Sequence, residues 1–212
     1  MTLPIAINSR IALSIATIGA ASAVLVGATF AFFSDTATST GNVLGAGTLD
    51  LQIANSGDPY TDDTSLTFNT SNLLPGESVA KEFNFKNNGS ASIAEIAMGV
   101  NSTPTDPGSD GSDIRSVLDL AVVVGGTASG NTCTGGSDIT SAIDLAVGDN
   151  SSPLTLAELH GDTYDSLAIA LAPLATDKVC IQATLNSGAT NIYQGDSSST
   201  IYSFIAHQDL SQ

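Results

Sequence analysis

The sequence predicts an all-β protein, a jelly-roll-like antiparallel β-sandwich with one short helical turn, preceded by an N-terminal signal helix. Three observations lead there. Apolar residues alternate with polar ones over about nine short segments, the period of a half-buried strand. Gly, Pro, Asn and Asp punctuate the gaps between those segments, as turns require. The composition is 42% apolar but 5% aromatic, with 20 Gly and no Trp, a mixture that suits short strands and many turns better than a helical bundle.

The N-terminus stands apart from this pattern. Ile11 to Gly27 is an unbroken run of apolar and small residues, behind a short segment whose one side-chain cation is Arg10. Thr29-Phe30-Ala31 then sets small residues at the −3 and −1 positions of a signal-peptidase site. The expected division is a signal peptide over 1–31, cut between Ala31 and Phe32, an extended segment over 32–46, and a sandwich domain over 47–212. The competing reading is an uncleaved anchor, because Ile11 to Phe33 has the length of a membrane span.

In the sandwich, Leu49, Leu51 and Ile53 share one face of a first strand, and 55–63 (NSGDPYTDD) is a turn-rich loop. Leu66 and Phe68 mark a second strand, and 72–77 (NLLPGE) a turn centred on Pro75 and Gly76. Val79, Phe83 and Phe85 mark a third, and Asn87-Asn88-Gly89 reads as a hairpin turn leading into Ala94, Ile96, Met98 and Val100. From Pro104 to Asp113 an exposed loop is expected. Leu118, Leu120, Val122 and Val124 make a well-patterned strand, followed by a Gly/Thr/Ser loop carrying Cys133. Ile143, Leu145 and Val147 predict a further strand. Pro153 to His160 is the helical turn, with Ser152 as cap and Pro153 at the first helical position. Leu167, Ile169 and Leu171 predict a strand ended by Pro173. Val179, Ile181, Ala183 and Leu185 predict the next, with Cys180 on its opposite face. Ile201 to His207 is apolar on both faces, as in a centrally placed strand.

Charge narrows the partners. Five Lys and Arg stand against 21 Asp and Glu, a net charge of −16, which repels nucleic-acid backbones and anionic lipid headgroups and keeps an exported chain soluble. The expected partners exclude nucleic acid and, after leader cleavage, membrane. The two cysteines, Cys133 and Cys180, are expected to be oxidised to one bridge outside the cell, pinning a surface loop to the sheet.

Catalytic chemistry is sparse. The two histidines, His160 and His207, belong to no HExxH pair. Glu158, His160 and Asp162 are the candidate metal ligands, though i and i+2 positions do not face each other on a helix; the plainer reading is a solvated helix end. Asp58, Asp62 and Asp63, and Asp106, Asp110 and Asp113, form acidic loops without the spacing of an EF-hand. They read as solvated loops, with calcium as the alternative and no cofactor otherwise expected. Asn69, Asn88, Asn101 and Asn150 begin N-x-Ser/Thr sequons.

Three stretches in series resemble the TasA/camelysin family of exported surface and biofilm-matrix proteins. They are 28–51 (ATFAFFSDTATSTGNVLGAGTLDL), 68–96 (FNTSNLLPGESVAKEFNFKNNGSASIAEI) and 191–208 (NIYQGDSSSTIYSFIAHQ). The resemblance implies a jelly-roll sandwich, a SipW-type signal peptide and a secreted, extracellular structural subunit. It further implies fibres in which the mature N-terminus of one copy fills a strand vacancy in the next. The donor segment would be Phe32, Phe33, Ser34, Asp35, Thr36, Ala37, Thr38, Ser39 and Thr40. Its Thr residues suit an extended backbone, and Phe32 or Phe33 supplies an apolar anchor. Partners would be copies of the chain itself and other matrix or surface proteins. The same family implies the rival reading, a camelysin-like zinc metallopeptidase; a non-polymerising cell-surface adhesion module is a third.

Overall fold

A computed structural model describes residues 47–63, 65–107, 110–147 and 153–208. The predicted signal peptide, the cut between Ala31 and Phe32, and the donor segment Phe32–Thr40 lie outside the described residues. Ala46–Gln212 is one compact unit.

Among the described residues the strands are β1 (Leu51–Asn55), β2 (Ser65–Ser71), β3 (Ser78–Asn87), β4 (Glu95–Thr105), β5 (Leu118–Val124), β6 (Thr127–Ser129), β7 (Thr132–Thr134), β8 (Ser137–Asp138), β9 (Thr163–Tyr164), β10 (Thr176–Leu185) and β11 (Ser197–His207). They build a five-stranded sheet ordered β1-β3-β10-β5-β8, a four-stranded sheet ordered β2-β11-β4-β9, and the separate hairpin β6-β7. All pairings are antiparallel. The expected sandwich is therefore present, and β1 to β5 alternate between the two sheets in chain order.

The core lies where the inward faces meet. Phe83 and Phe85 of β3 face Tyr202 and Phe204 of β11, with ring centroids 5.5 Å apart for Phe83–Tyr202 and 4.8 Å for the edge-on Phe85–Phe204 pair. Such pairs contribute about 0.5–1.5 kcal/mol beyond their buried area. The even spacing read in β3, β4, β5 and β10 is the spacing of this face: Phe83, Phe85, Ile96, Met98, Leu118, Val122, Val179 and Ile181 are fully buried. The last strand is central, between β2 and β4. Its outward Ile201 and Ile205 are nevertheless exposed, at 45% and 53%.

Several local expectations fail. Asn87-Asn88-Gly89 is no hairpin, because β3 pairs with β1 and β10 and β4 lies in the other sheet. A type I′ turn needs positive φ at both central residues, and neither Asn88 nor Gly89 has it. Instead Asn88 N–H continues the β1 pairing by donating to the Asp50 carbonyl. Asn87, fully buried, donates from Nδ2 to the carbonyls of Ala91 and Leu171 and accepts the Gly89 N–H on Oδ1. A Cβ on Gly89 would collide with the Thr48 carbonyl, so glycine is needed there for close approach.

The segment around Ile143 is a helix, Thr140–Val147, rather than a strand. Ile139, Ile143 and Val147 face the core at four-residue spacing, whereas Leu145 is 70% exposed. The alternation at 143, 145 and 147 was compatible with both periods, and the i, i+4 face won. The next helix is Leu156–Leu159, starting later than Ser152 and Pro153 suggest. Thr155 caps it and Glu158 completes a capping box.

Leu167, Ile169 and Leu171 are buried as expected but form no strand. Ala168 has φ of 56°, which breaks the ladder between the bonds Leu167 N–H makes to Ile96 and Leu171 N–H makes to Ile93. The expected loop 104–113 begins inside β4, and the loop around Cys133 is the hairpin β6-β7. The disulfide Cys133–Cys180 closes a separation of 47 residues with Cα atoms 5.7 Å apart. It fastens that hairpin over the outward side chains of β10 and β3, as the position of Cys180 implied.

Candidate functional site

The sheet edges differ in how they are closed. On the β5 side, Val123 and Val124 pair with β8, Leu120 N–H donates to Leu154 O, and Val122 N–H donates to Thr140 Oγ1. The outer side of β1 is met by Thr61, which exchanges two backbone bonds with Ile53. The side of β4 away from β11 carries β9 and the Leu167–Leu171 segment. Among the described residues one side of the sandwich stays open.

That side is formed by β2 and by the first half of β3. Among the described residues no strand pairs with the outer edge of β2, whose single partner is β11. β1 covers β3 from Phe83 to Asn87, and among the described residues Ser78–Glu82 has no strand neighbour on that side. Asn87 N–H donates to Ala175 on the β10 side, and Asn88 N–H donates to Asp50 on the β1 side. Alternation along an antiparallel strand therefore turns the main-chain groups of Ser78, Ala80 and Glu82 toward the vacancy.

Lys81 stands in this opening. It shares the inward face of Phe83, yet its Nζ reaches out to donate to the Thr67 carbonyl of β2 at 2.8 Å. Burial lowers the Lys81 pKa, and the charge of Asp58 partly opposes that shift. The other described cations are engaged elsewhere: Arg115 with Asp113 at 2.7 Å, Lys178 with Glu82 at 3.5 Å, and Lys86 over the Tyr60 ring. A lysine on an open edge is a common guard against uncontrolled strand addition.

At the top of the opening, two of the three family-like stretches converge. Leu73, Leu74 and Pro75 from 72–77 and Asn191, Tyr193 and Gln194 from 191–208 line one cleft with Leu185, a cavity of about 120 Å³. Both motifs are legible in the sequence but their meeting is not, since more than a hundred residues separate them.

The candidate metal ligands do not converge. The Glu158 carboxylate accepts from the Thr155 amide and hydroxyl, at 2.6 and 2.8 Å. His160 Nδ1 accepts the Ser102 N–H at 3.0 Å, and Asp162 is exposed. His207 pairs with Glu95 at the opposite end of β4 from Ser102, about 20 Å away at strand spacing. Among the described residues no three His, Cys, Asp or Glu side chains gather in a metal-binding group, so these residues do not fit the zinc centre that a metallopeptidase implies. The acidic loops are locally occupied too: Asp58 accepts from Asn55, Asp62 from Gln52, Asp106 from Gly111 and Asp110 from Ser112. No helix among the described residues is long and apolar enough to cross a membrane.

Comparison with known proteins bears on what such an edge does. The family model described as camelysin metallo-endopeptidase matches residues 6–212. A curated relative, the major biofilm matrix component of Bacillus subtilis strain 168, is 31% identical over 128 residues, covering 58% of this chain and 46% of that protein. The match thus spans about half of the relative's length.

Proposed function

Since the chain belongs to the camelysin metallo-endopeptidase family, the TasA/camelysin group its motifs resembled, we propose that it is a secreted structural subunit of an extracellular matrix or surface fibre. Its copies join by donor-strand complementation. The observation that carries this reading is the open side of the sandwich, where β2 offers an edge of seven residues that no other described strand pairs. A strand added there satisfies main-chain groups that otherwise face solvent. The donor is Phe32–Thr40 of the next copy; nine residues extend about 30 Å at strand spacing, enough to run along β2. Ser34–Thr40 carries little apolar alternation, so main-chain bonding supplies most of the affinity, with Phe32 or Phe33 as anchor. The biofilm-matrix relative supports the same reading, and copies of the chain are the first partner.

Two changes test it. Deleting 32–40 from the mature chain leaves a folded monomer that makes no fibres by electron microscopy. Thr67→Pro removes an N–H that the Lys81 contact places on the outer side of β2, leaving the β11 ladder intact. That variant keeps its melting temperature and also fails to polymerise. Fibres of unchanged morphology from the deleted chain would reject the reading, and a persistent wild-type monomer would favour the adhesion module. The family's peptidase description supplies a second reading, which predicts casein hydrolysis abolished by chelation and by His160→Ala. Hydrolysis unaffected by either would exclude it.

A further inference from the structure

Most carboxylates of the acidic loops singled out in the sequence accept from nearby donors, and a buried carboxylate without one lies elsewhere. Asp144, on the helix Thr140–Val147, is 5% exposed. Its Oδ1 is the one buried carboxylate oxygen among the described residues without a hydrogen-bond partner. It lines a cavity of about 220 Å³ together with Asp138, Ser141, Leu120 and Pro153.

The polar side chains of this wall present oxygen. Asp138 gives Oδ1 to the amide and hydroxyl of Thr140 and leaves Oδ2 free. Leu120 N–H points away from β10 toward Leu154, and in an extended residue the carbonyl follows the N–H to the same side. Ser141 adds a hydroxyl, while Pro153 has no N–H to offer. No Lys or Arg lines the cavity. Two carboxylates facing one small space, one of them buried and without a donor, are disfavoured unless a cation joins them.

We propose that this cavity binds one calcium ion, held by the carboxylates of Asp144 and Asp138 with the Leu120 carbonyl and the Ser141 hydroxyl, water completing the shell. Calcium accepts six to eight oxygen ligands in irregular geometry, whereas magnesium demands a near-ideal octahedron and keeps most of its water. The site ties the helix Thr140–Val147 to the edge of β5, so occupancy stabilises the side of the sandwich opposite the open one.

The test uses the whole secreted protein, stripped with chelator and then titrated with calcium chloride or magnesium chloride. Calorimetry is expected to find one calcium per chain and thermal unfolding a melting temperature that rises with calcium and saturates, with magnesium much weaker. Asp144→Asn and Asp138→Asn each weaken binding by about tenfold or more, consistent with the loss of one charged ligand, and Asp62→Asn in a surface loop changes nothing. If Asp144→Asn does not fold, the exposed Asp138→Asn carries the comparison. Absence of calcium binding in the unaltered protein, equal response to magnesium, or full affinity in both cavity variants would overturn the proposal.

Discussion

Asn87 decides more than its place in a turn-like motif suggests. Its amide holds the chain between β3 and β4 and also the Leu171 carbonyl of the segment that seals the β4 edge. Replacing it with Ala leaves the Ala91 carbonyl and the buried Gly89 N–H without partners, while the Leu171 carbonyl keeps the Ile93 N–H. The expected loss is about 2–4 kcal/mol, from more than one orphaned buried group at roughly 1–3 kcal/mol each, read as a lower urea midpoint with an unchanged slope. A loss under about 0.5 kcal/mol would mean that water replaces the amide. Asp113 supports a pH prediction. Hydrogen bonds from the Arg115 side chain, and next its backbone N–H, outweigh desolvation and hold the Asp113 carboxyl below its ordinary value. A depressed acid contributes stability above its unfolded pKa, near 4, and loses it as pH falls through the folded value. Asp113→Asn should therefore melt below the unaltered protein at pH 6. The gap should narrow as pH drops from about 4 toward 2, and a gap independent of pH would contradict the assignment.

At the scale of elements, the hairpin β6-β7 is held onto the sheet from outside. Ala128 N–H donates to Glu82, Cys133 N–H to Gln182, and Lys178 Nζ to Thr127, all around the disulfide to the fully buried Cys180. The chain-entropy model puts the bridge at about 3–4 kcal/mol for a loop of this length. The double variant Cys133→Ser, Cys180→Ala should lose that much. Amide exchange at Ala128 and Cys133 should speed up while the middle of β10 stays protected. Uniform loss of protection would instead place the hairpin inside the cooperative core. The helix Thr140–Val147 shows why short apolar runs mislead: three apolar residues at even spacing fit a strand, and Ile139 and Ile143 at i and i+4 fit a helix equally well. Asp138 resolves the choice by bonding Thr140 at the helix start, as Ile139 and Thr140 bond Val122.

For the whole molecule, alternation of β1 to β5 between sheets means that few neighbours in sequence are neighbours in a ladder. β11 pairs with β2 across well over a hundred residues, so folding has to close long loops before the sheets are rewarded, and it is expected to be slow among domains of this size. The open side is a property of this arrangement. β1 is shorter than β3 and β2 is outermost, which leaves two adjacent edges unpaired among the described residues, with Lys81 standing between them. If copies join by the proposed donor strand, its addition stabilises the fold as well as extending the fibre, and fibres should melt above the monomer of the 32–40 deletion. Equal melting temperatures would show that assembly leaves this edge untouched.

Sequence by itself determined the sandwich, the inward face of each long strand, the central place of β11 and the family. Each of these rests on local periodicity or on motifs that survive in one dimension. Tertiary structure alone decided that Asn88-Gly89 crosses between sheets, that 140–147 is helical, and that Leu167–Leu171 runs beside β4 without joining it. It also separated His160 from His207, set the NLLPGE and YQG motifs in one cleft, and left β2 and half of β3 open among the described residues. Those outcomes depend on which distant strand reaches a given backbone N–H first, and no window of sequence contains both partners.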